Sequence, residues 1–520
     1  MRKDTTNQTP VSSPAIARLG LVAGPLVAAA SYALLPDEYR DATGMLVEFQ
    51  TEKRATLAAM IWMGIWWLTE AVPIYATALL PVAVFPLLGI ADMKAASSPY
   101  ANPMIFLFMG GFLLALSMQK WGLGKRIALT ILRIVGTRPV NMIAGFMLTS
   151  AVLSAFVSNT ATTAMILPIA VSVIRLVRTQ GEPDGLGKSG QKGTSDNFAT
   201  CLMLGIAYSA SIGGTATIIG TPPNVFLVSY LSDSIAEPYR TELSFSRWLL
   251  VGVPLAIVFL PLVFVVLTRV VYPVTAQEIE GGGQLIRDEL DSLGPTKRGE
   301  WATLVVFMVT ATLWIMRPIL VRVTLGDAGA NWSPLSGLTD AGIAMVAALI
   351  LFVVPVDTQR RQFVLDWETA LQLPWGILIL FGGGLSLATA VHANGVSEFL
   401  GSHAGFVSGM PPVVVIFCVT AGMIFLTELT SNTATSATLL PVLGAVAPGL
   451  GLHPYLLVIP AAIAASCAFM LPVATPPNAI VFGSGEVTLR EMVKAGLWLN
   501  LVAIVLVILL SLLLIGPLLT

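Results

Sequence analysis

Two short polar segments interrupt long apolar stretches of this sequence, and they are nearly the same. Residues 158–168 read SNTATTAMILP and residues 431–441 read SNTATSATLLP, with eight of eleven positions identical. A Ser-Asn-Thr segment that opens a helix offers hydroxyl and amide oxygens beside the free N–H groups of the first helical turn. The N–H groups and the positive end of the helix dipole suit an anion. The oxygens, together with the last carbonyls of the preceding helix, suit a small hard cation.

A second pair of interruptions lies downstream. Residues 221–224 and 475–478 both read TPPN, again inside apolar segments. Proline removes a backbone donor and disfavours helical conformation in the residue before it, so both segments predict a helix that unwinds part-way. Upstream, residues 108–111 (FMGG) parallel residues 380–383 (LFGG), and these glycines predict close helix packing. Three matches in the same order indicate an internal duplication.

Each interruption taken alone has a simpler explanation. A single Ser or Thr in a membrane helix usually bonds to its own backbone, and a single Pro usually kinks the helix. Packing does not require the same polar triplet twice, however, so the duplication favours a binding site. None of the four interruptions contains Lys or Arg, so co-bound cations would have to help neutralise an anion there. The intramembrane carboxylates Glu70 and Glu428 are candidates either for function or for structural bonding to backbone near a helix break.

The composition restricts the class of protein. Of 520 residues, 55% are hydrophobic and 11% are charged, whereas a soluble chain carries about 25% charged residues. A soluble multidomain enzyme is therefore excluded, and the net charge of −1 leaves no basic surface for nucleic acid. The three cysteines and three histidines have no metal-type spacing. The chain is a polytopic membrane protein.

The lengths of the apolar stretches predict the helices that position the motifs, because a helix needs roughly 20 apolar residues to cross a bilayer. The sequence predicts eleven full spans, near 15–35, 55–72, 74–90, 103–119, 197–219, 248–270, 300–319, 338–355, 372–391, 455–474 and 495–518. The regions 139–178 and 410–448 are each broken by Ser-Asn-Thr and are interpreted as re-entrant hairpins or, alternatively, as pairs of spans. A signal peptide is an alternative explanation of the first apolar stretch.

The charges beside the two hairpins predict their sides of the membrane. Both flanks of the first hairpin are basic, with Lys120, Lys125, Arg126, Arg133 and Arg138 before it and Arg175, Arg178, Lys188 and Lys192 after it. The flanks of the second, 392–409 and 449–454, contain no Lys or Arg. The positive-inside rule therefore predicts entry from the cytoplasm for the first and from outside for the second. With eleven spans, the N-terminus is cytoplasmic and the C-terminus external.

These predictions give an all-α membrane protein built from two inverted repeats. The predicted units are 1–54 with the first helix, repeat 55–272, a hydrophilic cytoplasmic linker 273–297, and repeat 298–520. Each repeat contains five spans and one hairpin, and an odd number of crossings inverts the second copy. Inverted repeats with broken helices at corresponding positions are the architecture of secondary transporters.

The paired SNT and TPPN motifs resemble those of the divalent anion/sodium symporter (DASS) family, and in particular its INDY-like bacterial dicarboxylate transporters. The resemblance spans nearly the whole chain. It implies an elevator-type homodimer in the lipid of the cytoplasmic membrane that moves C4-dicarboxylates (succinate, malate or fumarate) with Na+. A citrate or sulfate transporter and a sodium-independent dicarboxylate exchanger stay open as alternatives. Thr221 stands where some relatives have Ser or Gly, which leaves the preferred substrate size open.

The resemblance also implies individual site residues. A first sodium ion would bind Ser154, Ser158, Asn159 and the carbonyl of Gly220. A second would bind Thr427, the carbonyl of Thr430, Asn432 and the carbonyl of Ala474. The substrate carboxylates would contact Asn159, Thr160, Thr221, Asn432, Thr433, Thr475 and Pro476.

Two other classes of function fit less well. An intramembrane hydrolase would pair a nucleophile with a base, but Ser158 and Ser431 have no histidine at comparable depth. A channel is conceivable, but inverted repeats with broken helices favour alternating access over an open pore. The sequence therefore predicts a transporter and not an enzyme.

Overall fold

The computed structural model describes residues 14–40, 45–180, 189–274, 281–323, 333–403 and 409–515. The predicted cytoplasmic residues before 14, part of the loop after the first hairpin (181–188) and part of the linker (275–280) lie outside the described residues. Helices form most of the described chain. Two short antiparallel hairpins contain its strands, β1 Glu38–Arg40 with β2 Leu46–Glu48, and β3 Pro355–Asp357 with β4 Gln362–Phe363.

The described residues of the first half of the chain form twelve α-helices. They are α1 Pro14–Leu34, α2 Thr51–Thr69, α3 Ile74–Thr77, α4 Leu80–Val84, α5 Met93–Ser97, α6 Pro103–Trp121, α7 Leu123–Val135, α8 Pro139–Ser154, α9 Asn159–Gln180, α10 Ser189–Thr215, α11 Pro222–Ser229 and α12 Phe245–Val265. Helices α11 and α12 each continue into a π-helical turn, Tyr230–Ser234 and Val266–Val271 respectively.

The described residues of the second half form eleven α-helices. They are α13 Gly282–Ser292, α14 Arg298–Leu320, α15 Asp340–Val353, α16 Trp367–Ala370, α17 Trp375–Ala393, α18 Val396–His403, α19 Pro412–Thr427, α20 Asn432–Val446, α21 Tyr455–Ala465, α22 Pro476–Gly483 and α23 Leu489–Leu510. Helix α13 lies within the predicted linker and packs against α7.

Eight helical segments among the described residues are long and apolar enough to cross a membrane. They are Pro14–Leu34, Met93–Trp121, Asn159–Arg178, Asp196–Thr215, Phe245–Val271, Arg298–Leu320, Trp375–Ala393 and Leu489–Leu513. Asn159–Arg178 is an arm of the first predicted hairpin, and the other segments coincide with predicted spans. Three further predicted spans are shorter apolar helices, Ile74–Val84, Asp340–Val353 and Tyr455–Ala465.

The region predicted as a span at 74–90 shows why apolar length overestimates helix length. It contains two short helices, α3 and α4, with Pro81 in the first turn of α4 and Pro86 just beyond its end. Proline has no N–H to donate to the preceding turn and clashes with it, so one continuous helix cannot form there.

The duplicated glycines place the two repeats in register. A Cβ on Gly110 would lie 2.8 Å from the carbonyl oxygen of Ala344, and one on Gly383 would lie 2.7 Å from Cα of Ala78. Each glycine therefore lets the helix that carries it touch another backbone directly. The sequence motifs matched Gly110 with Gly382, but the packing makes Gly383 the equivalent of Gly110. Gly110 and Gly383 lie the same number of residues before the Ser-Asn-Thr segments of their own repeats.

Candidate functional site

The two Ser-Asn-Thr segments open helices, as predicted. In the first hairpin α8 ends at Ser154 and α9 begins at Asn159, and in the second α19 ends at Thr427 and α20 begins at Asn432. Ser431 adopts an extended conformation (φ −64°, ψ 125°) immediately before its helix. Both helices therefore start inside an apolar hairpin and present the unbonded N–H groups of their first turns there.

The two TPPN segments also break their helices as predicted, and with nearly the same geometry. Thr221 has φ −146° and ψ 142°, and Thr475 has φ −142° and ψ 148°. Each threonine directly precedes a helix whose first two residues are prolines, α11 and α22. The preceding helices, α10 and α21, end at Thr215 and Ala465. Each repeat therefore contains an unwound segment of several residues whose N–H and C=O groups need other partners.

The four breaks are interlocked between the repeats. Helix α11 of the first repeat contacts α20 of the second, and α22 of the second contacts α9 of the first. The hydroxyl groups of Thr221 and Ser466 lie 3.5 Å apart across the repeats. Each Ser-Asn-Thr helix thus lies against the TPPN helix of the other repeat.

The residues predicted for the first ion lie together. Ser154 Oγ donates to Asn159 Oδ1 at 2.5 Å. A Cβ on Gly214 would lie 2.6 Å from Asn159 Oδ1 and 3.1 Å from the carbonyl oxygen of Gly220, so this glycine lies between the two groups. Ser158 Oγ accepts from the amide of Ala161 at 3.3 Å, as in a helix N-cap. A hydroxyl, an amide oxygen and a backbone carbonyl therefore meet at the first break.

The residues predicted for the second ion are joined less directly. Thr427 Oγ1 donates to the carbonyls of its own helix, 2.9 Å from Met423 O and 3.0 Å from Ile424 O. The hydroxyl of Thr430 lies 2.7 Å from that of Thr435 within the same hairpin. Ala474 donates its amide to Leu471 O at 3.2 Å inside the unwound segment. Among the described residues these bonds stay within the hairpin or within the break.

The oxygen of Asn432 is the exception in this second set. Asn432 Oδ1 is buried and has no hydrogen-bond partner among the described residues. A buried amide oxygen without a donor is costly unless a donor or a cation meets it. This atom is therefore available to a ligand at the position where the sequence predicted one.

The predicted substrate residues differ in accessibility. Thr160 and Pro476 are exposed, Asn159, Asn432 and Thr433 are partly buried, and Thr221 and Thr475 are buried. No hydrogen bond joins the set from one repeat directly to the set from the other in the described part of the chain. The cross-repeat contact of Thr221 instead goes to Ser466, which the sequence did not single out.

Glu428 bonds to backbone near a helix break, which is one of the two roles that the sequence left open for it. Its carboxyl oxygens accept from the amides of Phe469, Met470 and Leu471 at 2.8, 2.9 and 3.0 Å, and from Asn500 Nδ2 at 2.7 Å. This carboxyl group therefore joins the unwound segment of the second repeat to the hairpin that carries Thr427 and Asn432, residues of the predicted second ion set. Glu70 has a different position, in left-handed conformation (φ 49°, ψ 39°) at the end of α2.

A further glycine pair was missed in the sequence. A Cβ on Gly252 of α12 would lie 2.6 Å from the carbonyl oxygen of Thr215, and one on Gly496 of α23 would lie 2.5 Å from Cα of Met470. Each glycine lets a long helix touch the unwound segment of its own repeat. The two glycines correspond in position, because each lies seven residues after the first residue of its apolar helix, α12 or α23.

Comparison with known proteins identifies the family of this chain. Residues 46–519 match the family model described as the sodium:sulfate symporter transmembrane region. The chain belongs to this family. The resemblance inferred from the motifs is therefore confirmed, and this member of the symporter family is a multi-pass membrane protein.

Curated relatives of this family member include proteins named sodium-dependent dicarboxylate transporter SdcS. The one from Staphylococcus saprophyticus is 38% identical over 507 residues, covering 96% of this chain and 92% of its own length. The one from Staphylococcus aureus strain RF122 is 39% identical over 454 residues, covering 87% of this chain and 84% of its own length. The named relatives are transporters, as the sequence predicted for this chain.

Two solved structures share the fold at low sequence identity. The Alcanivorax borkumensis YdaH transporter has a TM-score of 0.61 at 14% identity, covering 97% of this chain and 98% of its own. Neisseria gonorrhoeae MtrF has a TM-score of 0.55 at 12% identity, covering 96% of this chain and 94% of its own. Their likeness extends over nearly the full length of both chains.

Proposed function

We propose that this chain is a sodium-coupled symporter of C4-dicarboxylates. The observation that carries the proposal is the duplicated pair of breaks, SNT and TPPN, in a chain whose relatives over 96% of its length are named sodium-dependent dicarboxylate transporters. Two half-helix N-termini suit two carboxylates, and the absence of Lys and Arg from the four breaks makes Na+ the compensating charge.

Each repeat supplies one ion site and one end of the substrate site. The first ion binds Ser154, Ser158, Asn159 and the Gly220 carbonyl, and the second binds Thr427, the Thr430 carbonyl, Asn432 and the Ala474 carbonyl. Asn159 and Asn432 take part in both ion and carboxylate binding. Thr160, Thr221, Thr433, Thr475 and Pro476 complete the carboxylate contacts. A sodium ion beside each carboxylate lowers the cost of holding a dianion away from water, so substrate and ions bind together.

The proposed topology is eleven spans and two re-entrant hairpins in the cytoplasmic membrane, with the N-terminus inside and the C-terminus outside. The repeats are 55–272 and 298–520, preceded by 1–54 and joined by 273–297. Contacts at the predicted cytoplasmic end support it, since Arg178 Nη2 lies 2.7 Å from Glu486 Oε2 and Thr200 donates to Glu491 at 3.2 Å.

Contacts at the predicted external end support the same topology. Asn102 Nδ2 donates to Asp233 Oδ2 at 2.6 Å, and Asn394 Nδ2 donates to the carbonyl of Ile90 at 3.0 Å. Each of these contacts joins two segments that the proposed topology assigns to the same side of the membrane. The family resemblance implies an elevator motion, in which the hairpins and broken helices move together within a homodimer.

Uptake of labelled succinate into proteoliposomes, with sodium or potassium outside, tests the proposal. We expect uptake to require sodium and to be inhibited by malate and fumarate but not by butyrate, which has only one carboxylate. Butyrate would leave one half-site and its ion without a partner, at a cost of roughly 1–3 kcal/mol for each buried neutral group and more for a charged one. Uptake that is equal in potassium would replace symport by exchange, and equal inhibition by butyrate would refute a two-ended site.

Sulfate is the second candidate substrate, because the matching family model is described as a sodium:sulfate symporter region. The same competition assay separates the two at fixed sodium. Inhibition of uptake by sulfate and not by malate or fumarate would assign the chain to inorganic anions.

A further inference from the structure

One buried asparagine in each repeat holds the unwound segment next to an ion site. Asn224 is fully buried and its Nδ2 donates to the carbonyls of Thr215 at 3.2 Å and Thr217 at 2.9 Å, with Gly214 O at 3.5 Å. These carbonyls belong to the residues where α10 ends and the chain unwinds. A single amide group therefore closes the break from the side of α11.

Asn478 makes the equivalent contacts in the other repeat. It too is fully buried, and its Nδ2 donates to the carbonyls of Ala468 at 3.2 Å and Leu471 at 3.1 Å. In both repeats the accepting carbonyls include those ten and seven residues upstream of the asparagine. The same amide contact at the same spacing, on two segments with otherwise different sequences, indicates a geometric requirement of the break.

The requirement concerns the carbonyls that the ions need. Gly220 lies within the loop that Asn224 closes. Asn224 also approaches Gly214, where an added Cβ would lie 2.6 Å from Oδ1 of Asn159 in the proposed first ion site. Ala474 lies within the loop that Asn478 closes. Fixing both ends of each loop restricts where its last carbonyl points, and a metal site depends on ligands held by such outer contacts.

We propose that Asn224 and Asn478 are positioning residues that set the sodium affinity of the first and the second ion site, respectively. The proposal rests on the proposed sodium-coupled function and deepens it. Neither residue needs to touch an ion or the substrate. Each acts through the carbonyls of its own break, so each affects the ion site of its own repeat.

The chain offers clean variants for the test. The Oδ1 atoms of Asn224 and Asn478 have no hydrogen-bond donor among the described residues, so replacement by leucine, of similar size, removes only the bonds that Nδ2 donates. Asn224→Leu and Asn478→Leu are compared with Ser229→Ala as control. Ser229 is equally buried on α11, but its hydroxyl donates only within its own helix, to Val225 O at 2.9 Å.

Sodium affinity is measured in two ways on the full chain. The first is the sodium concentration for half-maximal succinate uptake, compared with the succinate KM at saturating sodium. The second is the sodium-induced rise of the thermal unfolding midpoint without succinate, which needs no transport. For each leucine variant we expect the half-saturating sodium concentration to rise roughly fivefold to thirtyfold, because two buried hydrogen bonds are lost. We also expect sodium to raise the thermal unfolding midpoint of each variant by less than it raises that of the wild type. The succinate KM should change less than twofold, and Ser229→Ala should match the wild type in all three measurements.

Alanine variants cover the case in which leucine prevents folding. The smaller side chain leaves room for water to bond the freed carbonyls, so Asn224→Ala and Asn478→Ala should raise half-saturating sodium at least twofold. Folded variants with wild-type half-saturating sodium would overturn the proposal, even if their maximal rate or their unfolding midpoint in potassium fell. Sodium-independent uptake by the wild type would reject the proposed function, a result visible before any variant is made.

Discussion

Glu428 offers a direct test of how the second break is held open. Its carboxyl group accepts four hydrogen bonds, three from consecutive backbone amides (Phe469, Met470 and Leu471) and one from Asn500. Oε1 accepts those of Phe469, Met470 and Asn500, and Oε2 accepts that of Leu471. The three backbone N–H groups belong to the segment that leads to the Ala474 carbonyl.

Replacement by glutamine keeps the size and one oxygen. With that oxygen in the place of Oε1, the new amide nitrogen faces the N–H of Leu471, so one bond is lost and two donors meet. The cost is about 1–3 kcal/mol, the penalty of one unsatisfied buried polar group. This corresponds to roughly a fivefold to 150-fold loss in any equilibrium that requires the ordered break, at 1.4 kcal/mol for each factor of ten. Glu428→Ala removes all four acceptor contacts and should be more severe than Glu428→Gln.

The assay is the sodium dependence of succinate uptake, combined with thermal unfolding of the purified protein. We expect the half-saturating sodium concentration to rise, and the thermal unfolding midpoint to fall, in the order wild type, Glu428→Gln, Glu428→Ala. Asn500→Ala removes one donor and leaves the three backbone amides bound, so it should have an effect no larger than that of Glu428→Gln. If Glu428→Gln and Glu428→Ala both keep sodium dependence within twofold of the wild type, the carboxyl group does not hold the break for ion binding.

Three further substitutions test other parts of the site. Thr433→Val deletes a hydroxyl of the proposed substrate site at constant volume and should raise the succinate KM roughly fivefold or more. Thr438→Val on the same helix is the control and should not raise it, because the Thr438 hydroxyl donates within that helix, to the carbonyl of Ala434 at 2.8 Å. Gly214→Ala would place a methyl group 2.6 Å from Asn159 Oδ1 in the proposed first ion site and should weaken sodium binding. Gly205→Ala is its control and should be tolerated in the same uptake assay, because there the methyl group meets the flexible side chain of Met147 at 3.0 Å. Arg178→Cys should react with an impermeant thiol reagent from the cytoplasmic side only, and external labelling would contradict the topology.

The duplicated motifs could be predicted from sequence because they are local. Ser-Asn-Thr and Thr-Pro-Pro break a helix through their own backbone preferences, and the structure breaks the helices at these residues. Helix lengths were less predictable. Hydropathy gave one span at 74–90, but prolines divide it into α3 and α4, and the region predicted as a span at 338–355 forms a helix of 14 residues that leads into strand β3.

The partners of the breaks could not be predicted, because they are distant in the chain. Glu428 bonds to amides more than forty residues away, and nothing in its immediate sequence distinguishes this role from a direct role in transport. Asn224 and Asn478 were visible as motif residues, but only the structure shows that both donate to carbonyls at the same upstream distances.

The two repeats differ at the position where Glu428 acts. Three residues before its serine, the first repeat has Ala155, whose carbonyl accepts a hydrogen bond from the hydroxyl of Thr217, and the second has Glu428, whose carboxyl group accepts three backbone amides. The first break is thus held by a neutral hydroxyl, and the second by an acidic side chain of the hairpin that carries the proposed second ion site. Because nearby acidic groups favour a bound cation, we expect the two sodium ions to bind with different affinities even though their direct ligands are related by the duplication. Substitution of Glu428 should then weaken one ion far more than the other, whereas equivalent sites would lose affinity together.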